Sequence, residues 1–132
     1  MPRTMSLARR LSVAAVLFLS SDLMFSSRVV GAAKAIGAEV QLVADPFALP
    51  EKIEADCRLV MIDLSLDGLN LPAAVCAVRT AAPQARVVAY GAHVDEAALA
   101  DASEAGCDTV LTRGQFNKQY VEILGSVAGR QA

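Results

Sequence analysis

Aromatic side chains are nearly missing from this chain. It has no tryptophan, and phenylalanine and tyrosine supply only 5% of its 132 residues. A core of ordinary size must then be built mainly of Ala, Val, Leu and Ile. Histidine occurs once, at His93, and the three cysteines, Cys57, Cys76 and Cys107, are widely spaced with no C-x-x-C pair. That pattern argues against a disulfide framework or a zinc site. It reads as buried free thiols, with His93 in a loop. Net charge is small: 12 Lys and Arg stand against 14 Asp and Glu, a formal −2. Such a balance gives no general field to draw in nucleic acid, and the length leaves no room for a separate DNA-binding domain.

Nor is there an apolar run long enough to span a bilayer. The segment LSVAAVLFL follows Arg3, Arg9 and Arg10 as an h-region follows an n-region. Asp22 soon breaks it, however, and no A-x-A site follows at the right distance. With Val13–Leu19 read as a strand, the natural location is the cytoplasm. What the chain does have is apolar bulk, 55% hydrophobic with a mean hydropathy of +0.43, which fits a sheet buried on both faces. One domain is expected over 1–132, with a core of about 12–128 and loose ends before Leu11 and after Gly129.

Val13–Leu19 is a compact aliphatic run ending in Ser20-Ser21-Asp22, good capping residues for a helix. Phe25, Val29, Ala32, Ala33 and Ile36 then recur at helical spacing, and Gly37 closes that helix. A second strand is expected over Glu39–Val43 with Val40 and Leu42 on one face. Asp45-Pro46 starts a short helix through about Ala55. Leu59–Ile62 is the most strand-like run, ending in Asp63 before the loop SLDGLN that contains Ser65. Asn70 caps a helix from Leu71-Pro72 to about Ala81, stopped by Pro83. Ala85–Tyr90 is the fourth strand, Asp95–Ala105 a helix ended by Gly106, Thr109–Leu111 a fifth strand and Asn117–Ala128 the last helix.

Five strands alternating with helices predict an α/β fold: a five-stranded parallel sheet, doubly wound (βα)5 and flavodoxin-like. Sites in such sheets lie beyond the carboxyl ends of the strands. That rule gathers Ser20, Ser21, Asp22, Asp63, Ser65, Gly91, Ala92, His93 and Thr112-Arg113 around one rim.

The pieces LVMIDLSLDG around Asp63, VVAYGAHVDEAAL after the fourth strand and EAGCDTVLTR ending at Arg113 resemble, in length and order, the receiver domain of bacterial two-component response regulators. The resemblance covers roughly Ser12 to Val127. It implies an acceptor aspartate after strand three, an acidic pair after strand one for Mg²⁺, a hydroxyl after strand four, and a lysine after strand five. Cations are needed because a carboxylate will not approach a phosphoryl donor unless the developing charge is neutralised. Asp63 matches the acceptor. The acidic pair falls on Ser20 and Ser21, the hydroxyl on Gly91, the lysine on Arg113 and an aromatic switch residue on Val110. The stretch FLSSDLMF then reads as the metal pocket with its acids gone.

The functional expectation is a degenerate pseudo-receiver: not an enzyme, without cofactor, working by contact with a protein such as a histidine kinase or downstream regulator, with a homodimer possible. Its working surfaces would be the rim around Asp63 and Arg113 and the face of the fourth helix, fifth strand and fifth helix. No metal is expected, Asp22 and Asp63 being weak candidates; Asp22 has the ordinary job of capping. Arg113 is expected to pair with Asp63. Two alternatives stay open. One is an active receiver phosphorylated on Asp63 with Mg²⁺. The other is an anion or small-molecule binder at Ser20, Ser21, Ser26 and Ser27, where a helix start attracts phosphate, although no glycine lets the backbone wrap one.

Overall fold

In a computed structural model, residues 15–128 are described. They form five strands, β1 (Ala15–Leu19), β2 (Glu39–Val43), β3 (Cys57–Asp63), β4 (Arg86–Gly91) and β5 (Thr109–Thr112). Between and after them run α1 (Leu23–Ala35), a 3-10 turn (Pro46–Ala48) leading into α2 (Leu49–Lys52), α3 (Leu71–Ala81), α4 (Glu96–Glu104) and α5 (Arg113–Ala128). All strand pairs are parallel, in the order β2-β1-β3-β4-β5. The expected doubly wound sheet is therefore what forms. Val13, the arginines before it and the proposed loose ends lie outside the described residues.

The aliphatic strands explain the layering. β1 and β3 are central, and Leu17, Leu19, Val60 and Ile62 point to the face covered by α2, α3 and α4, while Phe18, Leu59 and Met61 point to the face covered by α1 and α5. Each such side chain taken fully from water contributes about 1.5–3 kcal/mol. The few aromatics are not spread through both layers. Phe18, Phe25, Tyr90, Phe116 and Tyr120 all sit on the α1–α5 side.

Helix ends follow the capping logic. The side chains of Asp22, Asn70 and Asp95 accept from first-turn N–H groups, and Gly37 and Gly106 take the positive φ that closes α1 and α4. Three expectations need correction. The helix after β2 stops at Lys52, three residues before Ala55, because Ile53 turns into extended backbone and buries its side chain. Val40 and Leu42 do share one face of β2, opposite Val16 and Phe18, although β2 is an edge strand and Leu42 is 49% exposed. α5 begins at Arg113 and not at Asn117. There Thr112 Oγ1 accepts from Gln115 N–H at 3.1 Å while Gln115 Oε1 accepts from Thr112 N–H at 2.9 Å, a reciprocal cap. Finally, of the three thiols only Cys57 is buried; Cys107 is half-buried and Cys76 exposed.

Candidate functional site

The strand order reverses between β1 and β3, the place where sheets of this kind open a crevice. Side-chain alternation brings Ser20, Asp63 and Tyr90 to one face at the carboxyl ends of β1, β3 and β4, with Asp63 and Tyr90 directly in register. Asp63 is 2% exposed and Ser20 3%. A buried carboxylate must be fully hydrogen-bonded or neutralised, and here neutral donors do the work. Ser20 Oγ donates to Oδ2 at 2.8 Å, while Ser65 donates to Oδ1 through its N–H at 2.9 Å and its Oγ at 2.6 Å.

Arg113 is engaged elsewhere, which corrects the expected pairing with Asp63. Its Nη2 lies 2.5 Å from Asp22 Oδ2, and its guanidinium stands 5.3 Å over the Phe25 ring. Asp63 already has three donors, whereas Asp22 presents a free oxygen near the surface. The other Asp22 oxygen accepts from Met24 N–H and Phe25 N–H, both at 3.0 Å, and the Asp22 N–H itself donates to Ser20 Oγ at 3.0 Å. Asp22 thus caps α1, as its position suggested, and two N–H groups that could have held an anion are taken. Ser26 is buried in α1 rather than lining the rim.

The cation that the resemblance implies would need a cluster of carboxylates, and the donor set does not fit one. Ser20 spends its proton on Asp63, Ser21 is exposed, and Asp22 is bound on both oxygens. Among the described residues no group of three or more His, Cys, Asp or Glu side chains is placed to hold a metal. Gly91 explains the missing hydroxyl sterically. A Cβ there would lie 3.2 Å from Leu64 Cδ1 and 3.3 Å from Leu64 Cβ, so Leu64 fills the space. Ala92 is exposed and serves a turn, its carbonyl accepting from Asp95 N–H at 3.0 Å. Val110, at the aromatic-switch position, packs partly buried against the α2–α4 side of the core.

Sequence reasoning missed Leu64 and Tyr90. Strand parity could have found Tyr90, which faces as Asp63 does; nothing in the residue string marks Leu64. Burial pushes the Tyr90 phenol far up, and the Asp63 charge adds to this, against smaller opposing effects of Ser20 and Arg113. Burial likewise pushes the Cys57 thiol up to about 11 and raises Cys107, so neither is a poised nucleophile.

No protein-family description and no curated protein matches the chain in sequence. Solved structures do match in fold. The receiver domain of the sensor histidine kinase PA1611 from Pseudomonas aeruginosa, solved with magnesium in its active-site cleft, aligns with a TM-score of 0.69 at 18% identity, covering 89% of this chain and 98% of that one. The beryllofluoride-activated NtrC4 receiver domain dimer aligns at 0.72 and 11% identity, with the same coverages. A response regulator from Burkholderia pseudomallei carrying a phosphorylated aspartic acid and calcium aligns at 0.69 and 15%, covering 89% of this chain and 68% of that one. The chain has the fold of response-regulator receiver domains.

Proposed function

We propose that this chain is a receiver-like signalling module of a bacterial two-component-type pathway. In this reading it acts in the cytoplasm by contact with another protein, a histidine kinase or a downstream regulator, and is neither an enzyme nor a metalloprotein. The observation that carries this is the Ser20–Asp63 hydrogen bond. Where the resemblance places a magnesium carboxylate, a neutral hydroxyl satisfies the acceptor aspartate instead. Transfer to Asp63 would have to proceed without a metal carboxylate, without a hydroxyl at Gly91 and with the basic residue already paired. Pairing between copies is part of the proposal; the NtrC4 receiver with the same fold is a dimer.

An amide-resolved NMR titration, first with Mg²⁺ and then with beryllofluoride, tests the reading. No shift around Asp63 with either, in a folded protein, is the expected result. Saturable shifts at Asp63 that spread to β5 would instead establish an active receiver phosphorylated on Asp63, and their loss in Asp63→Asn would confirm the position.

A further inference from the structure

Every acid of the chain lies from Asp22 to Glu122, whereas Arg3, Arg9 and Arg10 stand before Ala15 with no acid among them. The described body is therefore negative, and residues 1–14, which lie outside it, are positive. Several of the body's acids are already engaged. Asp22 pairs with Arg113 and Asp108 with Arg79, Asp63 is buried on its serines, and Asp45 and Asp95 cap helix starts. α4 differs. Its sequence EAALADASE holds Glu96, Asp101 and Glu104 and no base. Asp101 and Glu104 are exposed, and among the described residues neither carboxylate enters an ion pair or a side-chain hydrogen bond. The one base of α3, Arg79, is held by the Ala85 and Gly106 carbonyls and by Asp108.

Beside those two carboxylates an open groove of about 700 Å³ runs between the start of α3 and the end of α4, lined by Leu69, Leu71, Pro72 and Ala105, with Asp101 and Glu104 on its α4 wall. Small side chains leave the space: α4 has one large apolar residue, Leu99, and fully buries only Ala102. Asn70 also borders the groove, but its side chain is spent on the α3 cap, accepting from Ala73 N–H at 3.1 Å. An apolar floor beside an acidic wall fits a segment that carries cations and apolar side chains together. Residues 1–14 have that composition, with Met5, Leu7 and Leu11 set among the three arginines. They also reach. A parallel sheet requires α4 to run antiparallel to the strands, so Asp101 and Glu104, in its last turn, lie toward the end of the sheet at which β1 begins. Extended, residues 1–14 span up to about 46 Å, against a width of about 35 Å for a domain of this size.

We propose that residues 3–11 occupy the α3–α4 groove of their own body, with arginines against Asp101 and Glu104 and the apolar side chains on Leu69, Leu71 and Pro72. Exposed ion pairs contribute little each, so the apolar contact holds the segment and the charges orient it. The segment is then a resident competitor: a basic, apolar stretch of another protein gains the groove only by displacing it. None of this depends on whether Asp63 accepts a phosphoryl group.

The test is amide-resolved NMR on the full chain at low salt, in wild type, in Arg9→Glu with Arg10→Glu, in Asp101→Lys with Glu104→Lys, and in the chain carrying both pairs of changes. The arginine pair leaves every groove residue untouched and is expected to shift the amides of Leu69, Leu71 and Ala105. The α4 pair is expected to shift those of Leu7 and Leu11, and the combined exchange to return both sets toward their wild-type positions. Amides of β3 and β4 should stay in place throughout, which checks the fold, and dilution should leave the wild-type spectrum unchanged. Groove amides blind to the arginine changes, a response confined to another surface, or an exchange that restores neither set overturns the proposal. So do shifts that fade on dilution, which would give the groove to the segment of a second copy. Should a variant fail to fold, raising the salt on wild type, which screens exposed charge pairs, is expected to move the same groove amides, and their indifference to salt overturns the proposal equally.

Discussion

Asp63 is held by neutral donors. Three hydrogen bonds from two serines reach its carboxylate, and this makes the residue a tie between the end of β1, β3 and the loop after β3. Replacing both Ser20 and Ser21 by Asp is expected to create Mg²⁺ binding, visible as saturable amide shifts around Asp63. The same change should lower metal-free stability by about 1–3 kcal/mol in denaturant unfolding, since like charges would then share a buried site. At this scale the sequence was half legible. Which residues sit at the rim followed from strand ends and alternation. Which carboxylate Arg113 chooses did not, because the rim carries two, Asp22 and Asp63, and the residue string does not show that Ser20 and Ser65 fill one of them while the other pairs with Arg113.

At the scale of elements, the strands were readable because β-branched and aliphatic runs of strand length leave few alternatives, and the caps Asp22, Asn70 and Asp95 marked three helix starts. The start of α5 was hidden by a strand that passes into a helix with no intervening loop. Thr112 and Gln115, three residues apart, were the signal. Thr112→Ala is expected to cost about 1 kcal/mol by removing one arm of that cap, with a parallel fall in melting temperature. Gly31 sits exposed in the middle of α1, and a Cβ there would meet nothing within 4 Å. Gly31→Ala should therefore stabilise the protein by about 0.5–1 kcal/mol. A destabilised Gly31→Ala protein would mean that α1 contacts something absent from its own fold.

For the molecule as a whole, the alternation of strands and helices determined the architecture, since parallel strands need crossover helices and those helices must cover both faces. Its interior is also strongly set against charge, with consequences above neutral pH. The Cys57 thiol ionises near 9 when unfolded and near 11 when folded. Both states hold the proton below pH 9, so stability there is unaffected. As pH rises from about 9 to about 11 the unfolded chain releases it first, and stability falls by about 2–3 kcal/mol. Tyr90 acts with the same sign at higher pH. Urea midpoints across this range should show the decline, and Cys57→Ala should flatten its first part. Gly91 and Leu64 are set as a pair. With Leu64 Cβ only 3.3 Å from where a Cβ at 91 would stand, any side chain at 91 requires Leu64 to give by a few tenths of an ångström, so a hydroxyl there comes at no strain only together with a smaller or displaced residue at 64.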